Sequence, residues 1–280
     1  MVTLGDAYRA ARAQLREAGV EDAAFDAQCL CRAVSGRDPR ALPDYEFTHA
    51  QEETFRAMCA DRARRRPLQY ILGEWDFLDF TLRVGEGVLI PRSDTEVTAL
   101  EAARLAGAAP GEPVVLDLCA GSGAIAAAVA RRVPRAHVTA VEKYDEAMRW
   151  LRENLAALAP HACAVQADVF GFEHTLAPAS ADVIVSNPPY VTEEEMRTLE
   201  PELAFEPRTA LEAPDEGLQF YRHIARAYRA ALKPGGALVF EVGDTQGQAV
   251  RAILTENGFS DLCVLPDAEG RDRCVRGIAP

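Results

Sequence analysis

The 280-residue chain has the sequence of an α/β protein: a doubly wound, mostly parallel sheet preceded by a small helical domain and a β-hairpin linker. Three observations predict this. From Pro113 onward, strand-like and helix-like segments alternate, the pattern of a parallel sheet covered by helices on both faces. Before Pro67, apolar residues recur at helical spacing. Between residues 70 and 90 the period changes to that of strands. The domains expected are therefore 1–67, 68–91 and 92–280.

In the first domain, Leu4, Ala7, Tyr8, Ala11 and Leu15 form one helical stripe that Gly19 can end. A second helix carries Phe25, Leu30 and Val34 ahead of Gly36. A third begins at Thr48, with Gln51 at capping-box spacing, and runs through Phe55 and Met58 to Pro67. It ends in "RARRRP", which gathers Arg62, Arg64, Arg65 and Arg66. Such a cluster is either a solvated helix end matched to the C-terminal dipole or a docking patch for an acidic partner. In the linker, "DFTLRV" alternates as a strand, and Gly85 and Gly87 precede "VLI", a hairpin signal. Ser93 and Glu96 repeat the capping-box spacing before a helix through Leu105 that Gly107 can end.

Thereafter "VVLDL", "HVTAVE", "CAVQAD", "DVIVSN" and "ALVFEV" read as strands. Residues 124–133, 144–158 and 220–232 read as helices, the last ended by Pro234, Gly235 and Gly236. Sheets of this kind bind ligands beyond the carboxyl ends of their strands, where the strand order switches. "LCAGSG", "VEK", "ADVF" and "SNPPY" all fall at such ends.

Composition excludes several classes. No apolar run approaches the ~20 residues that cross a bilayer, and the first 19 residues lack the apolar block of a secretory signal. Seven cysteines are scattered singly, and Cys29 and Cys31 have only one residue between them, too few for a zinc or redox pair. Five histidines form no ligand motif. Reduced thiols, a cytoplasmic location and no metal site are expected. The net charge is −13, and it is uneven: up to Val84 there are 12 basic and 14 acidic residues, against 18 and 29 beyond. A nucleic-acid enzyme normally shows a basic face, so direct nucleic-acid binding is not expected of the acidic later part.

"LDLCAGSGAIA" places Asp117 at a strand end, a turn of Cys119, Ala120, Gly121, Ser122 and Gly123, and a helix at once after. Glycines let backbone approach a ligand, and a helix start offers free N–H groups. Glu142 ends the next strand, 21 residues after Gly121, where a carboxylate can accept both ribose hydroxyls. Asp168 ends the third, placed to accept an adenine amine. The glycine loop alone also fits a nicotinamide dinucleotide, and with it a redox enzyme. That ligand needs a pyrophosphate site, which an acid before the loop disfavours. Asp117 suits the ammonium or sulfonium of S-adenosylmethionine instead.

The fourth strand runs through Ser186 into Asn187, Pro188, Pro189 and Tyr190. A planar nitrogen is a poor nucleophile because its lone pair is delocalised. Methylating it requires acceptors that hold its N–H groups while the lone pair faces the methyl carbon. The Asn187 side-chain oxygen and the Pro188 carbonyl are two such acceptors, and the prolines hold the backbone at low entropic cost. Tyr190 is expected to pack on the flat group. Alignment of this kind is worth up to ~7–11 kcal/mol.

"SNPPY" resembles the motif of methyltransferases acting on planar nitrogens, and the chain as a whole resembles the HemK/PrmC family. That family methylates the glutamine amide in the Gly-Gly-Gln loop of bacterial peptide-chain release factors. "RRPLQYILGEWDF" is similar to its linker, "LIPRSDTE" to the start of its catalytic domain, and "FEPRTAL" and "DEGLQFYRHI" to segments bordering its pocket. The resemblance implies a seven-stranded class I methyltransferase sheet and S-adenosylmethionine as cofactor. It assigns residues 119–123, Glu142, Asp168 and Val169 to the cofactor and Asn187 to Tyr190 to the substrate amide. Cys119 stands where the family's loop has glycine, and Val169 where it has an aromatic residue. A nucleic-acid amino-group methyltransferase, acting on adenine N6 or guanine N2, is the alternative that shares the motif.

Overall fold

The computed structural model describes residues 2–280 as two compact units. The first runs to Glu74 and includes Glu200–Phe205; the second comprises Trp75–Leu199 and Glu206–Pro280.

The first unit packs α1 (Leu4–Glu17), α2 (Ala23–Ser35) and α3 (His49–Ala63), followed by the single turn α4 (Leu68–Leu72). Leu4, Ala7, Ala11 and Leu15 are buried as their spacing requires. Thr48 and Gln51 form the capping box, each side chain bonded to the other's backbone N–H. Phe25 departs from expectation and is half exposed. The buried face of α2 is set by Ala23, Asp26, Ala27, Leu30 and Cys31, a stripe one position away.

An acid can occupy that stripe because Arg62 meets it. Arg62 Nε donates to Asp26 Oδ2 at 2.6 Å and its Nη2 to Glu202 Oε1 at 2.9 Å. Arg65 donates to both Glu202 oxygens, at 2.7 and 2.6 Å. Arg62 is therefore a buried structural cation, and the four-arginine cluster is not a uniform docking patch. Arg64 and Arg66 pair with Asp61, and of the four only the Arg64 side chain stands well out, 77% exposed.

The second unit opens with the hairpin β1 (Glu74–Phe77) and β2 (Phe80–Arg83), whose first residue still belongs to the first unit. The turn is at Leu78 and Asp79 rather than at the glycines, and "VLI" is not a strand. Gly87 is needed for another reason: its φ is +90° and a β-carbon would stand 2.5 Å from Glu146 Cβ. There follow α5 (Thr95–Ala108), β3 (Val114–Leu118), α6 (Ala124–Arg132), β4 (His137–Glu142), α7 (Asp145–Leu158), β5 (Cys163–Gln166), α8 (Val169–Phe172) and β6 (Ala181–Ser186). Then come α9 (Arg208–Leu211), α10 (Gln219–Ala227), β7 (Leu232–Glu241), α11 (Gly247–Glu256), β8 (Ser260–Pro266) and β9 (Asp272–Ile278). Gly107 lies inside the last turn of α5, and Glu96 accepts the Leu78 N–H instead of capping its own helix. Pro234 to Gly236 lie within β7, because the chain leaves α10 by a short 3-10 turn at Arg229–Ala231.

The sheet has seven strands in the order β5-β4-β3-β6-β7-β9-β8, parallel except at β9, which runs against both neighbours. Alternate strand residues face opposite layers. Val115, Val183, Val185 and Val239 pack into the layer of α5, α6 and α7. Leu116, Ile184, Leu238 and Phe240 pack toward α10 and α11. Strand order reverses between β3 and β6, so their carboxyl ends diverge into a cleft. Among the described residues no helix is long and apolar enough to cross a membrane.

Candidate active site

The cleft lies at those ends, is walled by residues of the second unit, and holds about 1110 Å³ counting its solvent-open mouth.

After β3 the chain turns with φ of +60° at Cys119, +54° at Gly121 and +84° at Gly123. Cys119, Ala120, Gly121 and Ser122 line the cleft. Gly123 does not; a β-carbon there would meet Leu151 Cδ1 at 2.7 Å, so this glycine serves the packing of α6 on α7. The N–H groups of Ala124 and Ile125, at the start of α6 and on the wall, donate to no described residue. Free donors at a helix start favour a carboxylate or similar anion.

Asp117 is not on the wall. It shares a face with Val115 and points into the helical layer, where Oδ2 accepts the Ala126 N–H at 2.9 Å. It is 1% exposed, and Oδ1 has no partner among the described residues. Burial, and then the charge of Glu142, push its pKa up to about 8. The expected contact between Asp117 and a cationic ligand group is therefore corrected: Asp117 caps α6 from behind the loop.

Glu142 reaches the cleft but is largely engaged. Its Oε2 accepts the Gly121 N–H at 2.9 Å, and Oε1 accepts those of Lys143 and Tyr144 at 2.7 and 2.9 Å. A carboxylate has about four acceptor positions, so one remains, enough for one hydroxyl rather than two. Asp168 caps α8 through the Phe170 N–H at 3.0 Å and pairs with Lys143 Nζ at 2.8 Å. Partial burial works against its charge, but these two donors outweigh it and lower the pKa. Val169 lines the cleft at its side.

Two further aromatic residues complete that end. Phe170 and Phe220, with ring centroids 5.1 Å apart and planes inclined at 59°, both line the cleft and offer an apolar corner. Phe170 follows the position where the aromatic is missing, so the ring is supplied one residue later.

At the other end, Asn187 and Pro189 line the cleft. Asn187 Nδ2 donates to Thr95 Oγ1 at 3.3 Å. Neither its Oδ1 nor the Pro188 carbonyl accepts a hydrogen bond from any described residue. Pro188 and Tyr190 do not line the cleft. Tyr190 is clamped behind it: its N–H donates to the Leu211 carbonyl at 3.1 Å, and its carbonyl accepts from Gln246 Nε2 at 3.1 Å. Its hydroxyl faces the buried Glu241. The ring expected to pack on the substrate group is thus not part of the cleft wall. The single turn α9, carrying Thr209 and Ala210, closes the wall, anchored just before it where Glu206 accepts the Ile90 N–H at 2.9 Å and pairs with Arg92.

The parts define a chemistry. One end can take a flat ring against Phe170 and Phe220, a hydroxyl on Glu142 and an anion at the start of α6. The other presents a free carboxamide oxygen fixed by Thr95. Sequence reasoning missed Thr95, Phe170 and Glu241; only the polar ends of "PRSDTE" and "ALVFEV" hinted at the first and last.

Comparisons with known proteins give two family models and a set of relatives. A family model described as the PrmC N-terminal domain matches residues 6–73, and one described as the methyltransferase small domain matches residues 97–213. A release factor glutamine methyltransferase of Geobacter sulfurreducens is 37% identical over 95% of this chain and 93% of its own. The same-named protein of Cereibacter sphaeroides is 39% identical over 98% of each. Among solved structures, the protein-(glutamine-N5) methyltransferase (release factor-specific) of Alicyclobacillus acidocaldarius is 29% identical, with 70% of this chain and 98% of that one covered and a TM-score of 0.44.

Proposed function

The chain belongs to the release factor glutamine methyltransferase family, and on that premise we propose that it methylates N5 of the glutamine in the Gly-Gly-Gln loop of bacterial peptide-chain release factors, in the cytoplasm, with S-adenosylmethionine as donor. The observation that carries this reading is Asn187: its Oδ1 faces no competing donor while its Nδ2 is tied to Thr95.

The cleft residues fit the donor. Phe170, Phe220, Asp168 and Val169 would take the adenine, the spare acceptor of Glu142 one ribose hydroxyl, and the N–H groups of Ala124 and Ile125 the carboxylate. Residues 119–122 would lie along it. When bound, S-adenosylmethionine supplies a methyl group on a positively charged sulfur. Asn187 Oδ1 and the Pro188 carbonyl would each accept one N–H of the substrate amide. Held so, the amide plane cannot rotate and its nitrogen lone pair is presented to the methyl carbon. The methyl group would pass to that nitrogen, the electron pair of the broken C–S bond would remain on sulfur, and one N–H proton would be released to water as the product leaves. Alignment and exclusion of water supply the acceleration. Domains follow: 1–67 docks the partner, 68–91 links, and 92–280 carries the transfer.

The test is label transfer. With tritiated S-adenosylmethionine, a purified release factor takes label, a Gly-Gly-Ala version does not, and unmodified ribosomal RNA does not. An Asn187→Ala enzyme should lose at least ~100-fold in kcat while binding S-adenosylhomocysteine within a few-fold of wild type. Label in RNA, label in the alanine version, or wild-type turnover by Asn187→Ala would each overturn the reading.

A further inference from the structure

Phe170 supplies one of the two rings at the end of the cleft given to the adenine, yet its own segment holds it weakly. The helix α8 has only four residues, and at Phe170 the backbone leaves helical values, with φ −83° and ψ 56°. A single turn has little stability of its own. Phe170 is also 40% exposed, so the sheet's core does not enclose it. Whatever fixes the ring has to come from another element.

That element is α10. Phe220 and His223 stand three residues apart on it and so share a face. The Phe170 ring lies against both: its centroid is 5.1 Å from that of Phe220 and 4.4 Å from that of His223, the imidazole plane inclined at 39°. His223 does not line the cleft, and its side chain is 16% exposed. Its Nε2 stands 3.1 Å from the Val169 carbonyl oxygen. A carbonyl can only accept, so this nitrogen carries a hydrogen and donates it. The Tyr228 hydroxyl donates to the same oxygen at 2.8 Å, and the Tyr228 ring meets the imidazole in a T-shaped contact. Glu173 Oε1, 3.5 Å from the same Nε2, favours the same orientation of the imidazole. The carbonyl just before Phe170 is thus held by two side chains, and the ring after it is backed by a third surface.

We propose that His223 is a positioning residue for the cofactor: by pinning the Val169 carbonyl and backing the Phe170 ring, it holds that ring in the cleft wall where an adenine would lie. The inference rests on the adenine place given to Phe170 above. It separates His223 from a histidine that only fills space. A space-filling residue affects stability whatever Phe170 is, whereas a positioning one affects the adenosine part of a ligand, and only while the Phe170 ring is present.

The experiment is calorimetry on the full chain with two ligands: S-adenosylhomocysteine, and methylthioadenosine, which keeps the adenosine and lacks the amino-acid part. The proteins are wild type, His223→Ala, His223→Gln, Phe170→Ala and the double variant Phe170→Ala with His223→Ala. His223→Ala should weaken both ligands by about five- to tenfold, because the loss lies in the part they share. His223→Gln, which keeps a donor for the Val169 carbonyl but no ring, should weaken them by about threefold. In the Phe170→Ala background, His223→Ala should change affinity by less than about twofold, since the ring it serves is gone. In turnover, His223→Ala should raise the KM for S-adenosylmethionine by about the same five- to tenfold and keep kcat within about threefold. Affinities of His223→Ala within about twofold of wild type, or a full loss repeated without the Phe170 ring, overturn the inference. If His223→Ala does not fold, His223→Gln in the two backgrounds decides, and equal losses in both overturn it. Should wild type bind both ligands while the His223 variants match it, only this inference falls. Should wild type bind neither, the choice of donor falls with it.

Discussion

Asp26 in the first unit and Asp117 in the second are both carboxylates sealed from water, 5% and 1% exposed, yet the chain treats them differently. Asp26 is met by a guanidinium at 2.6 Å, and the same arginine reaches on to Glu202. Asp117 has one backbone N–H and an oxygen with no partner among the described residues. Burial raises both, but Asp117 alone is carried to about 8. The helical unit thus neutralises its buried charge locally, as a structural part does. The sheet unit leaves Asp117 and Glu241 buried without salt bridges behind the cleft wall, and burial raises both toward neutrality.

The comparison breaks most readily at Arg62. Arg62→Ala strands Asp26 and removes one of two arginines from Glu202, and should destabilise the first unit by about 3–5 kcal/mol. Replacing Arg62 and Asp26 together with Met and Leu should recover most of that loss, since a buried pair gives little net stability over apolar residues. Chemical denaturation of the full chain measures both. A loss under about 1 kcal/mol for Arg62→Ala would mean that the pair behaves as an exposed one, and the contrast with Asp117 would disappear.

A smaller effect is expected at Asp117, and its sign follows from linkage. A carboxyl whose folded pKa lies above its unfolded value contributes stability that is fully present below about pH 4 and is lost as pH rises through about 8. Wild type should therefore become less stable by a few kcal/mol between those limits, with Glu241 adding a component centred near 7. Asp117→Asn cannot ionise, so it should flatten the slope and leave only the Glu241 part. Urea denaturation at about pH 5 and about pH 8.5, near the two ends of the window, gives the slope. An unchanged slope in the variant would mean that Asp117 is ionised throughout.

These two carboxyls also show what a sequence can and cannot reveal. The loop, Glu142, Asp168 and Asn187 were legible because strand periodicity puts them at carboxyl ends, and strand ends meet at a cleft in this topology. Asp117 was misplaced because it lies level with Ala140, two residues short of Glu142 along the same face of the sheet, and so stays under the helical layer while Glu142 reaches the cleft. The clamp on the Tyr190 backbone was not legible because its partners, Leu211 and Gln246, lie 21 and 56 residues on. Arg62 looked like part of a surface patch because its partners, Asp26 and Glu202, are 36 and 140 residues away. Local spacing fixes which face of an element is apolar; it carries no record of which distant group meets a polar one. The hairpin was anticipated at the wrong turn for a related reason, since Gly87 answers to the approach of Glu146 rather than to a strand reversal.

The smallest effect sharpens the comparison on the cleft side. Cys119 holds a φ of +60° where a glycine would be unstrained, a conformation that costs an L residue roughly 1–2 kcal/mol. Against that, Cys119→Gly adds backbone freedom to the unfolded chain, worth about 0.5–1 kcal/mol, and loses the packing of a thiol whose pKa burial pushes up. The terms nearly cancel, so the variant should change stability by less than about 1 kcal/mol. Cofactor affinity should hold within about threefold, because the loop meets its ligand largely through backbone and the conformation is already the one glycine would adopt. Calorimetry with S-adenosylhomocysteine and a denaturant titration read the two quantities separately. A stability loss above about 2 kcal/mol, with affinity kept, would show that this unit relies on apolar packing at its loop as much as the helical unit relies on its ion pair. A loss of affinity alone would instead place the thiol in contact with the ligand.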